Sequence, residues 1–369
     1  MRTSYMMILP VLLAAVFLTE TGGLRHDPHT GGGPYVLYKN GRVYIHYIQE
    51  GHGAKTVVTD SADMADRAAV SMFVATGRPG EFFAVKLKNK LKDERSVYRK
   101  VSRQLAISDI EGNLLAFLKL LKANQVIDEG FNWTFGDGHL VLTGDFFDRG
   151  TQVTELLWFI YSLEEKAKAA GGYVHFVLGN HEIMNLNGDF RYVQSQYMEH
   201  AALLHTDYGS LFNENSELGR WLRTKNVVER VGDVLYVHGG ISEEVNLFDM
   251  PLPEINELAK PWYGDTSYVY PDILVEILYS DRGPFWYRGY YTGSVRATAG
   301  QVDSTLQEFG VKYIATGHTI AADTISTWFN KRLFNTDVPH SKGYSEALLI
   351  EKGVFYRVNA LGKKIRIAG

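Results

Sequence analysis

The chain has 369 residues, 45% of them apolar and 22% charged, with a net charge of −4. This is the balance of a folded globular protein, and it excludes disorder, collagen or a coiled coil as descriptions of the whole; without a basic field, no nucleic-acid partner is expected. There is no cysteine, which removes disulfides, thiolate nucleophiles and Cys-ligated zinc or iron–sulfur sites and leaves any metal to His, Asp, Glu and Asn, donors suited to harder ions.

In chain order, Arg2 precedes a short apolar run over 6–18, followed by Thr-Glu-Thr-Gly-Gly. A positive start and a short apolar run are the pattern of a secretory signal, so residues 1–22 are expected to be a signal peptide and the protein exported, periplasmic or secreted. The run is too short for a comfortable membrane span, so no stable membrane insertion of the mature protein is expected. Without a cysteine after it, a lipoprotein anchor is excluded, and no clean small-x-small cleavage site is present. Residues 23–34, ending in His-Asp-Pro-His-Thr-Gly-Gly-Gly-Pro, read as a flexible linker.

Residues 35–101 form an N-terminal extension. It opens on two alternating runs joined by Lys39-Asn40-Gly41, a β-hairpin signal, and continues into an expected helix over 62–72. It carries no motif of its own and is expected to pack on the main domain, 102–369. There the pattern becomes strand, loop, helix, repeated: strands at 105–108, 140–143, 173–178, 234–238 and 313–316, with helices at 114–121, 153–169 and 302–309. Strands at 347–350, 354–358 and 364–367 close the chain. Alternation of this kind predicts an α/β architecture.

Each strand between 105 and 316 ends in polar residues. They are Ser108-Asp109-Ile110-Glu111-Gly112-Asn113, Gly144-Asp145-Phe146-Phe147-Asp148-Arg149-Gly150, Gly179-Asn180-His181-Glu182, His238-Gly239-Gly240 and Gly317-His318-Thr319. In open α/β sheets ligands bind beyond the carboxyl ends of strands, and the intervals between the first three motifs suit strand–helix–strand crossovers. One such motif is weak, since an Asp after a strand is often only a helix cap; five in order are specific.

On these motifs the chain resembles the calcineurin-like metallophosphoesterases over about 105–360. Within them it resembles the phosphoprotein phosphatase branch, and most nearly the bacterial cold-active protein-tyrosine phosphatases. The resemblance implies a β-sandwich flanked by helices with a dimetal site at the strand ends. Asp145 would bridge two divalent ions (Mn, Zn or Fe, with Mg less suited), Asp109 would serve the first, and Asn180, His238 and His318 the second. It implies in-line attack on phosphorus by a bridging hydroxide, with His181 protonating the leaving oxygen, Asp148 orienting His181, and Arg149 binding phosphate. Arg288 matches the family's second phosphate-binding arginine, in preference to the nearby Arg282.

One position departs from the pattern. Glu111 stands where the family has a histidine on the first metal, leaving three readings: direct ligation, a hold on a ligated water, or loss of that metal. The aromatic-rich segment around Arg288 suggests that Trp286, Tyr287 or Tyr290 contacts substrate, whereas His46, His139, His175, His200 and His205 read as packing or surface histidines. The leading expectation is a phosphomonoesterase acting on phosphoprotein or phosphopeptide, with phosphotyrosine preferred. The alternatives are a dinucleoside-polyphosphate or nucleotide phosphohydrolase on the same site, and a non-enzymatic binding protein. Oligomeric state is not readable from the sequence.

Overall fold

Apolar residues at every second position, with long apolar helices between them, build two packed sheets covered by helices. A computed structural model describes residues 31–51, 53–293 and 296–369; the expected signal peptide and most of the expected linker lie outside the described residues. The strands are β1 (Gly32–Lys39), β2 (Arg42–Gly51), β3 (Ala54–Asp63), β4 (Ser71–Ala75), β5 (Phe82–Lys86), β6 (Val97–Tyr98), β7 (Arg103–Ile107), β8 (His139–Thr143), β9 (Tyr173–Val177), β10 (Val228–Val231), β11 (Val234–Val237), β12 (Tyr313–Thr316), β13 (Ser326–Trp328), β14 (Leu333–Asn335), β15 (Glu346–Glu351), β16 (Val354–Asn359) and β17 (Lys364–Ala368). One sheet has the order β17-β16-β15-β7-β8-β9, with β7, β8 and β9 parallel. The other has the order β13-β14-β12-β11-β10-β6, with β11, β12 and β14 parallel.

The period of two divides the strand residues between two cores. Ala106, Val141, Val177 and Leu348 of the first sheet meet Tyr236, Ala315 and Phe334 of the second between the sheets. Leu105, Ile107, Leu140 and Leu142 point the other way, into the cluster that holds the helices. Those helices are α1 (Leu114–Ala123), α2 (Val153–Ala169) and α3 (Asn180–Asn187), which follow β7, β8 and β9. The Asn113 side chain caps α1 by accepting the Ala116 N–H at 3.1 Å. α2 is apolar on most of its circumference because it is covered twice, by the sheet and by the N-terminal extension.

The extension begins with the expected hairpin. Asn40 and Gly41 both take positive φ between paired Lys39 and Arg42, the conformation of a two-residue hairpin turn. Three expectations change here. Gly32, Gly33 and Pro34, read as linker, already belong to β1. The helix expected over 62–72 is a single 3₁₀ turn, Met64–Ala69, because β3 keeps pairing with β2 as far as Asp63 and Met72 lies in β4. Val97 and Tyr98, read as extension, pair with β10 and form an edge of the second sheet. The extension is fastened to the main body by polar groups. The Trp158 indole N–H donates to the Pro34 carbonyl at 2.7 Å, Lys88 pairs with buried Glu164, and buried Glu217 accepts from Arg67, Tyr38 and Tyr161.

Candidate active site

Parallel strands deliver their carboxyl ends to one edge, and the polar motifs collect there. Asp109 follows β7, Asp145 follows β8, Asn180 opens α3 after β9, His238 follows β11 and His318 follows β12. Asp109, Glu111, Asp145, Asp148, Arg149 and His318 all have φ between 50° and 68°. That left-handed backbone costs of order 1 kcal/mol or more for a non-glycine residue and clusters at functional sites. Small residues let the loops close: a side chain at Gly179 would drive into the Asp145 carboxylate, and one at Gly317 into Asp109.

The ligand atoms of Asp145, His238 and His318 lie within 4.8 Å of one another, all buried. Each imidazole is oriented by a carbonyl on its far side. His238 Nδ1 meets the Thr143 carbonyl at 2.7 Å, which leaves Nε2 facing Asp145 at 3.1 Å and the Asn180 amide oxygen at 3.0 Å. His318 Nε2 meets the Trp286 carbonyl at 3.0 Å, which leaves Nδ1 for the site. A carbonyl behind an imidazole is the usual support of a metal-ligating histidine. Asp109 is held beside them, its carboxylate accepting the His318 N–H at 3.1 Å. Burial disfavours charge on His238, yet Asp145 outweighs it and raises the imidazole to about 10. Burial raises Asp109, with Asp145 adding to the effect. The negative charge of this pocket thus draws in protons, and a carboxylate, imidazole and amide set of this kind fits divalent cations.

Around this set the structure brings together most of the expected catalytic side chains. His181 Nδ1 hydrogen-bonds Asp148 at 2.6 Å, and its backbone N–H donates to Asp145 at 3.0 Å. Asp148 is held in turn by Asn185 at 3.0 Å, and Asn185 by the Tyr208 hydroxyl at 2.7 Å. Burial opposes a charge on His181, but Asp145 and Asp148 outweigh it and raise its pKa above the ordinary histidine value. The Arg288 guanidinium donates to the His318 carbonyl at 2.7 Å and to the Thr319 hydroxyl at 3.2 Å. Arg282 instead faces Glu244 at 3.6 Å with 46% of its side chain exposed, a surface pair.

Three of the expected residues have other partners in the structure. Glu111, like Asp109, lies outside the group of Asp145, His238 and His318, and its carboxylate forms an ion pair with Arg149. Trp286 acts through its backbone carbonyl on His318, while its half-buried ring lies edge-on to Phe285. The Tyr287 hydroxyl accepts from Gln301 at 2.9 Å and its ring sits against Gly240 and Tyr290.

The profile of the calcineurin-like phosphoesterases matches residues 102–321. The chain belongs to that family. Calcineurin-like phosphoesterases use a dinuclear metal site, and the chain is accordingly a hydrolytic phosphatase. It is 27% identical over 297 residues to Shewanella-like protein phosphatase 2 of Arabidopsis thaliana, spanning 68% of this chain and 74% of that one. Shewanella-like protein phosphatase 1 of Plasmodium berghei is 26% identical, over 70% and 76% of the two chains. Among solved structures, the cold-active protein-tyrosine phosphatase of a psychrophilic Shewanella superposes with a TM-score of 0.81 at 34% identity, covering 91% of this chain and 98% of that one.

Three residues of this phosphoesterase escaped the sequence reading. The buried carboxylate of Glu182 accepts the N–H groups of Gly179 at 2.7 Å, Asp145 at 2.8 Å, Phe146 at 2.7 Å and Phe147 at 3.3 Å, clamping two ligand loops together. Its place in Gly-Asn-His-Glu, three residues into α3, was the available signal. Tyr192 is 44% exposed, with its ring 5.2 Å from that of His181 and 5.4 Å from the Arg149 guanidinium carbon. Asp337 lies just past β14 and is 5% exposed, and burial, with the charges of Asp109 and Asp145 adding to it, holds its carboxyl well above the ordinary value.

Proposed function

We propose that this phosphatase removes phosphate from phosphoproteins, preferring phosphotyrosine, with two divalent cations held by Asp109, Asp145, Asn180, His238 and His318. The observation that carries the preference is the exposed Tyr192 ring beside both His181 and Arg149. A phenolic leaving group entering there gains a ring to stack on, and a serine side chain does not. Arg149 and Arg288 offer planar, multiply donating groups to the phosphate oxygens, and the Asn180 amide is a further donor. Asp148 fixes the proton on His181 Nδ1 and favours the imidazolium, so Nε2–H is available to the departing oxygen. When bound, the cations supply Lewis-acid charge at phosphorus and lower the pKa of water toward neutrality. Residues 1–22 we read as an export signal, which N-terminal sequencing of the mature protein checks.

The test is phosphate release by chelator-stripped protein titrated with Mn, Zn, Fe and Mg, on phosphotyrosine and phosphoserine peptides side by side. Metal-dependent release favouring phosphotyrosine is expected. Stacking of about 0.5–1.5 kcal/mol makes Tyr192→Ala lose ~2–13-fold in kcat/KM on phosphotyrosine only, with Tyr192→Phe unaffected. Equal release from both peptides overturns the preference, and cleavage of a dinucleoside tetraphosphate with neither peptide attacked moves the reading to nucleotide hydrolysis.

A further inference from the structure

We propose that the cleft between the N-terminal extension and the amino ends of β8 and β9 is a second ligand site, one that takes inorganic phosphate in its hydrogen-phosphate form. It lies at the opposite end of the sheet from the candidate active site, and binding there needs neither metal nor turnover.

The cleft has a volume of about 460 Å³, within the range of small-molecule sites. Its walls come from the segment 88–98, from α2, and from His139 and Tyr173, the first residues of β8 and β9. About 13 Å of strand separates His139 from Thr143 at the other end of β8, where the Asp145 turn begins. Three cations of the cleft, Lys90, Lys92 and Arg95, are exposed, and among the described residues no ion pair or hydrogen bond engages their side chains. The carboxylates of the cleft are already met: Glu164 by Lys88 and Lys225, Glu94 by Lys225 and the Tyr173 hydroxyl, Asp93 by Lys260, and Glu165 by Lys168. Positive charge is therefore left over for an anion.

A buried chain of side chains ends in the same cleft and decides which anion fits. It starts at Glu229 on β10 and crosses to His175 on β9 and His139 on β8. Both Glu229 oxygens accept, one from the Asn226 amide at 2.9 Å and the other from His175 Nδ1 at 2.6 Å. In a neutral His175 ring the hydrogen is thus on Nδ1, and Nε2 accepts from His139 Nδ1 at 2.8 Å. His139 is left with a bare Nε2. The residue lines the cleft, no partner reaches that nitrogen among the described residues, and it is not enclosed. Burial, with the His175 ring, pushes His139 down to about 3, so at neutral pH Nε2 offers a lone pair rather than an N–H. An occupant must then bring negative charge for the cations and a hydrogen for Nε2. Hydrogen phosphate brings both. Sulfate and fully ionised phosphate esters bring the charge without the hydrogen, and their oxygens leave Nε2 unpaired.

The experiment is equilibrium dialysis of the chelator-stripped full chain against radiolabelled phosphate above neutral pH, with sulfate or phenyl phosphate as competitor. Wild type is expected to bind phosphate saturably, with sulfate at least ~10-fold weaker. Arg149→Ala combined with Arg288→Ala, which removes the phosphate donors of the candidate active site, should leave that binding in place. Lys92→Ala combined with Arg95→Ala should weaken it at least ~10-fold. His139→Phe, which keeps a ring and removes both nitrogens, should lower phosphate affinity until sulfate competes equally. Circular dichroism against wild type checks folding. If His139→Phe does not fold, nitrogen NMR of histidine-labelled wild type reads the same contact: phosphate should shift His139 Nε2, and sulfate should not. No saturable binding, its loss in the Arg149 and Arg288 variant, its persistence in the Lys92 and Arg95 variant, equal competition by sulfate in wild type, or an unmoved Nε2 signal overturns the proposal. Phenyl phosphate competing as well as unlabelled phosphate makes the occupant an ester and overturns it too.

Discussion

Replacing Glu182 with glutamine tests whether one side chain holds the metal-site loops together. Its Oε2 accepts from Gly179 and Asp145, and its Oε1 from Phe146 and Phe147. A glutamine has one oxygen, so whichever way the amide turns, its NH₂ confronts two backbone donors. Hydrogen bonds to a charged acceptor contribute about 1.5–3 kcal/mol each, so losing a pair costs about 3–6 kcal/mol. The bond to Phe147 is long, and removing the charge relieves repulsion with Asp145, which brings the expectation to about 3 kcal/mol. That is a large part of the 5–15 kcal/mol typical of a folded protein. Urea unfolding of the metal-free protein, compared at equal m-value, measures it. A loss below about 1 kcal/mol would show that the loops hold their shape without the clamp and refute the reasoning.

Two other outcomes follow from the same geometry. His181→Asn should lower kcat on a phosphotyrosine peptide by about 10²–10⁴, and by much less on p-nitrophenyl phosphate, whose leaving group needs no proton; equal losses on both would remove His181 as the acid. Glu155 Oε2 is enclosed without a donor and burial raises the carboxyl to about 7. The folded state therefore holds a proton that the unfolded state releases near the ordinary value, so stability present at low pH falls as pH rises from about 4.5 to about 7. Glu155→Gln should flatten that decline, and unfolding midpoints that fall equally in both proteins would be inconsistent with a raised Glu155.

Much of the frame was legible because local pattern and tertiary role agree. The helix at 153–169 and the strand at 313–316 match to the residue, since each is a largely apolar segment closed by turn chemistry. Asp109, Asp145, Asn180, His238 and His318 were legible because each follows such a strand, and all but Asp109 have a glycine next to them in the sequence. The misreadings come from partners distant in sequence. The segment 62–72 reads as helical in isolation, but pairing with β2 keeps Ala62 and Asp63 extended. Glu111 occupies a ligand position, yet its neighbour across the turn is Arg149. β14 is three residues long and its Thr-Asp continuation looks like ordinary turn sequence, so Asp337 announces nothing. Tyr192 reaches His181 only because its carbonyl accepts the Arg149 N–H at 3.1 Å. Trp286 was read for its ring, whereas its carbonyl makes the contact.

The polar fastening of the extension has a consequence for what counts as the unit that folds. The family profile begins at residue 102, but a chain cut there would lose Arg67, Tyr38 and Lys88 and strip an edge strand from the second sheet. Glu217 would keep only the Tyr161 hydroxyl, and Glu164 would keep Lys225 and Trp221. The α2 surface now under the hairpin would meet water. The family profile thus marks one boundary and the packed unit another, some seventy residues earlier, where β1 begins.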